Sequence, residues 1–134
     1  MKPLIAMLGG PGAALMTVFL AGFSSASASP SFDCHRPHLN SVESQICGDD
    51  ELSDLDRRIA EYYREGMNEF EPRWRDELKR NQQGWLKERD ACVEASARHP
   101  DHPGVAFNEC VRMMLESRQG ELAAALQKGR IGAE

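Results

Sequence analysis

Mostly apolar residues recur at three- and four-residue steps along the chain after residue 40. One row comprises Leu52, Leu55, Ile59, Tyr62, Tyr63 and Gly66; the second comprises Trp74, Leu78, Gln82, Trp85, Arg89 and Cys92; the third comprises Phe107, Cys110, Val111, Met114, Arg118, Leu122 and Leu126. Such spacing places each row on one face of an α-helix, and no window alternates as a half-buried strand would. The pattern therefore predicts three long amphipathic helices.

Capping residues indicate where the first helices begin and end. Asn40 or Ser41 can cap a short helix, which Gly48 ends. Asp49 or Asp50 can then cap the first long helix, whose positive first turn favours acidic side chains. The short helix adds a fourth element at the N-terminal end of the folded part.

Two segments interrupt the apolar rows and predict connections between helices. One lies around residues 66–72, where Pro72 suits the first turn of the next helix. The other, residues 99–104, contains two prolines and a glycine and is expected to be a loop. Both are short enough for antiparallel neighbours, and the tail at 129–134 is expected to fray. The expected fold is all-α, a small disulfide-stapled antiparallel bundle of three main helices plus a short N-terminal helix.

The first 28 residues differ from the rest and read as a secretory signal peptide. They carry one charge, Lys2, ahead of an apolar stretch at 4–23. An uncleaved membrane anchor of about 20 residues is the rival interpretation. The break at 9–12 (Gly-Gly-Pro-Gly) and the small residues at 26–28 favour cleavage after Ala28. We expect a single domain, residues 29–134, that is periplasmic or secreted and has no membrane anchor after cleavage.

The composition of residues 29–134 excludes several classes of function. This part carries 21 acidic and 15 basic side chains, a net charge of −6. An acidic balance argues against nucleic acid as a partner, because phosphate binding needs a basic face. A chain of this length makes one domain with a modest core. No nucleophile–base arrangement is visible, so we expect neither an enzyme nor a cofactor.

Four cysteines lie in the same part of the chain: Cys34, Cys47, Cys92 and Cys110. In an exported protein an even number indicates disulfides, and the absence of Cys-x-x-Cys argues against a redox centre or a zinc ribbon. Four cysteines allow three pairings, among which spacing alone does not choose. We predict Cys34–Cys47 and Cys92–Cys110, since each bridge then closes a short loop.

The histidines form two His-x-x-His pairs, His35 with His38 and His99 with His102. Four imidazoles could bind zinc or copper if the two segments met. However, both pairs lie in proline-containing loops, where the spacing does not fix a common face. Solvated histidines are the preferred interpretation, and we predict no metal site.

Two arginines occupy positions on the apolar rows, Arg89 and Arg118. An arginine facing a core needs a carboxylate or several carbonyls, because an isolated buried charge is very costly. Asp56 is the expected partner of Arg89, with Asp90 and Glu121 as further candidates. We predict structural ion pairs that fix helix register; ligand binding by the arginines is the alternative.

A set of short motifs extends over nearly the whole region from residue 32 to about residue 126. They are Ile46-Cys47-Gly48-Asp49, Leu52-Ser53-Asp54-Leu55-Asp56, Tyr63, Gln83-Gly84-Trp85-Leu86-Lys87-Glu88-Arg89-Asp90-Ala91-Cys92, and Cys110 with Arg118 and Leu122. This set resembles the LprI-like lysozyme-inhibitor family, bacterial secreted and lipoprotein domains formerly grouped as a domain of unknown function. The resemblance implies an extracytoplasmic helical domain with disulfides. Unlike the lipoprotein members, this chain has no cysteine for acylation near the cleavage region.

The resemblance also implies a partner, a lysozyme-type muramidase that the protein inhibits. The net charge of −6 would suit a cationic enzyme. Asp49, Asp50 and Glu51 are the candidate contact residues, because they follow Gly48 at a bend; helix capping explains the same three residues equally well. The alternative function is an envelope protein with a structural or stress-related role and no lysozyme contact.

Overall fold

The computed structural model describes residues 28–132, and their secondary structure is entirely helical. The helices are α1 (Ser41–Cys47), α2 (Asp50–Glu69), α3 (Pro72–Asp90), α4 (Val93–Arg98) and α5 (Pro103–Lys128). The predicted all-α bundle, with three long helices and a short N-terminal one, is confirmed. The predicted signal peptide, apart from Ala28, lies outside the described residues. No helix among residues 28–132 combines the length and the apolar character needed to cross a membrane.

Side chains cap the N-termini of α1 and α2. For each helix the sequence had left two candidate N-cap residues, and the structure shows which of them caps the helix. Asn40 Oδ1 accepts a hydrogen bond from the backbone N–H of Glu43 at 2.8 Å, and the backbone N–H of Asn40 donates one to Oε2 of Glu43 at 2.9 Å. Asp49 Oδ1 accepts from the N–H groups of Glu51 and Leu52 at 2.9 and 3.0 Å. Asn40 and Asp49 are therefore the N-caps, each satisfying donors that a helix leaves unpaired.

The connection between α2 and α3 is shorter than predicted. Gly66 does not begin a linker but lies within α2, which continues to Glu69. A Cβ atom at Gly66 would lie 2.7 Å from Cδ2 of Leu78 on α3, so the missing side chain allows the two helices to approach closely. Phe70, buried directly after the helix, packs against the same glycine. The linker predicted around residues 66–72 is therefore reduced to residues 70–71, because the glycine is a packing position within α2.

The segment between α3 and α5 also differs from the expectation. The predicted loop at 99–104 is reduced to residues 99–102, since α5 already begins at Pro103, where a proline needs no backbone N–H. Helix α4 precedes it and was not predicted. With six residues and Ala95 as its one buried member, α4 is too short to display an apolar row.

Helix α5 packs against α2, α3 and α4 and supplies one side of the core. Its buried row is Val111, Leu115, Arg118, Leu122 and Ala125. Met114 and Leu126, which the predicted row included, are only partly buried and pack against the core. The other members of the hydrophobic core cluster are Val42, Ile46, Leu52, Ile59, Phe70, Leu78, Trp85, Cys92 and Ile131.

Two disulfides close the fold, and both predicted pairings are confirmed. Cys34–Cys47 ties the N-terminal arm, defined as residues 28–39, to the end of α1, with the Cα atoms 5.9 Å apart. Cys92–Cys110 joins the start of α4 to α5, with the Cα atoms 5.6 Å apart. In a core of this size each bridge removes chain entropy from the unfolded state, an effect of about 3 kcal/mol for loops of this length.

The tail does not fray where the structure describes it. Gly129 adopts the left-handed conformation with φ of 68° and its N–H donates to the carbonyl of Leu126. The N–H of Arg130 donates to the carbonyl of Ala125, completing a Schellman-type end. Ile131 consequently turns into the core and is only 6% exposed.

Candidate functional site

The acidic turn, defined as Asp49, Asp50 and Glu51, lies between α1 and α2 directly after the disulfide-bonded Cys47. Asp49 has an extended backbone, and its carboxylate is committed to capping α2. Asp50 and Glu51 occupy the first turn of the helix and are exposed to solvent. The three carboxylates are thus held at the start of a helix, and two of them belong to residues that are exposed to solvent.

An arginine from α5 braces the acidic turn. Nη1 of Arg112 lies 2.8 Å from a carboxylate oxygen of Glu51, and Nη2 lies 3.5 Å from one of Asp49. The Glu51 side chain nevertheless remains 78% exposed. The pairs therefore orient the turn without covering it, and Asp50 is exposed beside them.

Arg89, on α3, is buried and held by two aspartates. Its Nε and Nη2 donate to one oxygen of the neighbouring Asp90 at 3.0 and 2.7 Å. Its Nη1 lies 3.9 Å from Asp56 on α2, an ion pair longer than a hydrogen bond. The expected partner, Asp56, is therefore present, but Asp90 takes the hydrogen bonds.

Asp56 uses its other oxygen to hold the N-terminal arm. Oδ2 accepts from the backbone N–H of Ser31 at 2.7 Å and from its hydroxyl at 2.6 Å. Asp56 is buried, so these bonds and the charge of Arg89 compensate the loss of water around its carboxylate. The arrangement links α2, α3 and the arm through one side chain.

Arg118, on α5, is fully buried and sits in a cage of polar side chains. Its guanidinium donates to Gln82 at 2.6 and 3.1 Å, to Asn81 at 2.5 Å and to Glu121 at 3.1 Å. Burial lowers the pKa of Arg118 from its ordinary value, and the hydrogen bond to Glu121 acts in the opposite direction. The arginine connects α5 to α3, and the structural role predicted for it stays a prediction.

Trp85 lies beside both buried arginines. Cζ of Arg89 is 5.6 Å from the indole ring and Cζ of Arg118 is 5.5 Å from it, within cation–π distance. Two charged groups thus rest on one aromatic ring in the core. The arginines of the α3 and α5 rows therefore pack against the same ring inside the bundle.

The histidine pairs lie apart from these clusters. His35, His38, His99 and His102 are all exposed. Within residues 28–132, no group of three or more His, Cys, Asp or Glu side chains is arranged to hold a metal ion. The two pairs occupy separate segments, the N-terminal arm and the connection between α4 and α5.

Sequence reasoning missed three of the groups that build these clusters. Arg112, Ser31 and Asn81 each reach a partner 25 to 61 residues away. The residues next to them in the sequence do not indicate these distant partners. Gln82, by contrast, interrupts an apolar row, and a polar residue on a buried face indicates a buried partner.

Residues 28–132 thus form a small helical module with two disulfides and with charged clusters both in its interior and on its surface. The family described as "Lysozyme inhibitor LprI" matches residues 34–128, so the chain belongs to the LprI lysozyme-inhibitor family. This is a family named for inhibition and not for catalysis. No curated protein and no solved structure matches the chain.

Proposed function

We propose that the protein binds and inhibits a lysozyme-type muramidase outside the cytoplasm. The observation that carries the proposal is the family match, which extends from Cys34 to Lys128 and so includes both disulfides and every helix of residues 28–132. An inhibitor needs a stable surface more than it needs catalytic groups. The disulfide-stapled bundle supplies such a surface on a small scaffold.

Two further features support the proposed site of action. Disulfides persist in oxidising compartments, and the structure has no free cysteine among its described residues. The N-terminal segment has the composition of a secretory signal. Both support a periplasmic or secreted protein, which is where a muramidase acting on cell walls would be met.

The charge of the protein supports a basic partner. With 21 acidic and 15 basic side chains after residue 28, the protein attracts a cationic enzyme over a distance of about 10 Å at moderate salt. Such attraction raises the association rate more than the final affinity. The acidic turn is the proposed contact region, since Asp50 and Glu51 are exposed there on a braced backbone.

The proposal is tested with the purified protein from residue 29 to residue 134 and a suspension of bacterial cell walls. Lysozyme lowers the turbidity of the suspension, and the protein should slow that loss in proportion to its concentration. Goose-, chicken- and bacterial-type enzymes are compared, because the family name specifies no lysozyme class. If micromolar excess inhibits none of the three, the alternative of an envelope protein without lysozyme contact replaces the proposal.

A further inference from the structure

The α4–α5 loop, defined as residues 99–102, lies in an unbroken exposed stretch. Every residue from 97 to 105 is exposed, on both sides of the loop as well as within it. The stretch contains Arg98, His99, Asp101 and His102, so it offers donors of hydrogen bonds and one carboxylate. A segment of this kind is available to a partner along its whole length.

The base of the loop is covalently closed. The Cys92–Cys110 disulfide joins the start of α4 to the second turn of α5. The two helices that flank the loop are therefore covalently linked to each other. Ala95, buried on α4, packs that helix against the domain. The loop therefore keeps its position relative to α5.

Hydrogen bonds within the loop and between the residues that flank it restrict the loop's conformation. The Ser96 hydroxyl donates to the carbonyl of Pro103 at 3.0 Å, and the N–H of His102 donates to the carbonyl of His99 at 3.1 Å. Pro100 and Pro103 each fix one backbone dihedral angle. A loop ordered in advance loses little conformational entropy on binding, which favours affinity.

Apolar side chains flank the loop on α5. Val105 is 57% exposed and Met113 is 64% exposed, and both line a shallow cavity of about 540 Å³ between the loop and the helices. The two exposed apolar side chains thus lie in one cavity beside the braced loop, where a partner could cover them.

The loop and the acidic turn belong to one side of the molecule. Val105, Glu109 and Arg112 follow each other at i, i+4 and i+7, the spacing of a single helical face. Arg112 is the residue that binds Glu51 of the acidic turn. It lies nine residues after the start of α5, about 14 Å along the helix at 1.5 Å per residue. A partner attracted by the acidic turn would therefore meet the loop as well.

We infer that the α4–α5 loop is the part of the protein that enters the substrate cleft of the muramidase, an inference that rests on the proposed function. Enzymes that hydrolyse glycosidic bonds place two carboxyl groups at their cleft. The imidazoles of His99 and His102 keep at least one N–H in either protonation state and donate it to such groups. Asp101 supplies the loop's negative charge for a basic cleft rim, and Val105 and Met113 cover apolar surface beside it.

The first experiment compares inhibition constants. The double variant His99→Ala with His102→Ala removes the donors from exposed positions, and we expect its inhibition constant to rise at least tenfold. The chain offers a matched control in its other His-x-x-His pair, as His35→Ala with His38→Asn. Asparagine is chosen because residue 38 has φ of 65°, which asparagine tolerates. The control should change the constant by less than twofold, and both variants should unfold at the parent's temperature.

The second experiment tests the location of the loop in the complex. A trisaccharide of N-acetylglucosamine, a fragment of the substrate type, occupies the lysozyme cleft; it should raise the apparent dissociation constant of the parent protein in proportion to its concentration. A loop variant that inhibits like the parent, or a parent that binds equally well to the saturated enzyme, overturns the inference while the proposed function stands. A parent that inhibits no lysozyme overturns both.

Discussion

Ser31 binds Asp56 through two hydrogen bonds, one from its backbone N–H at 2.7 Å and one from its hydroxyl at 2.6 Å. Ser31 lies three residues after the predicted cleavage position, whereas Asp56 is buried on α2. The N-terminal arm is therefore fastened to a buried side chain of α2. The same carboxylate faces Arg89, so the arm and the α2–α3 contact depend on one another.

Replacing Ser31 by alanine removes the hydroxyl bond and leaves the backbone bond in place. We expect the free energy of unfolding to fall by about 1 kcal/mol, the usual contribution of one such hydrogen bond. Ser29→Ala, at an exposed position of the same arm, is the control and should have no measurable effect. Chemical denaturation monitored by circular dichroism measures both. Equal losses for the two variants would show that the Ser31 hydroxyl contributes nothing specific.

Arg89→Ala should be far more damaging. The change leaves Asp56 buried without its opposite charge, which costs about 3–5 kcal/mol for a buried pair. Arg89→Lys should recover only part of the loss, because lysine has no planar fork to bond Asp90 through two nitrogens. Arg73→Ala, at an exposed position of α3, is the control. If Arg89→Ala unfolds like the parent but no longer inhibits lysozyme, the arginine belongs to the binding surface and its structural role is refuted.

Gly66→Ala tests the close approach of α2 and α3. The new methyl group would meet Cδ2 of the buried Leu78 at 2.7 Å, so the Leu78 side chain or the helices must shift, and the protein should lose about 1–3 kcal/mol. Gly120→Ala, within α5 and with open space around its Cβ position, is the matched control. That substitution should stabilise by about 0.5–1 kcal/mol through helix propensity alone. Thermal unfolding of the two variants should shift in opposite directions, and a shared direction would contradict the packing argument.

The sequence predicted the parts of this structure that follow from local pattern. The rows through Ile59, Leu78 and Leu122 correctly indicated α2, α3 and α5. The buried positions of a helix recur every three or four residues, and this spacing is visible in the sequence itself. The linker was predicted to begin around Gly66, since only the position of Leu78 on another helix shows why a glycine is needed within α2. Arg112 and Glu51 are 61 residues apart, and nothing local to either predicts their pairing.

Stability should also depend on pH through Asp54. Hydrogen bonding from Arg57, together with the charges of Arg57 and Arg58, lowers the pKa of Asp54 in the folded protein. The unfolded chain therefore takes up a proton more readily, at a pKa of about 3.9. The stabilising contribution is present above that pH and is lost as the pH falls through the lower folded value. Denaturation measured from pH 6 to pH 2 should show a weaker pH dependence for Asp54→Asn than for the parent; identical slopes would contradict the assignment.

The acidic turn is tested by its effect on the rate of association. Asp50→Asn with Glu51→Gln removes two exposed charges, and we expect the association rate with a basic lysozyme to fall about threefold at low salt, with a smaller change in the dissociation rate. The difference from the parent should shrink as salt is added, because screening weakens attraction between exposed charges. Glu65→Gln with Glu69→Gln makes the same change of charge at the other end of α2, about 25 Å away by helix geometry. If this control slows association equally, the net charge and not the acidic turn steers the partner. If neither variant changes the rate, electrostatic attraction plays no part in the encounter.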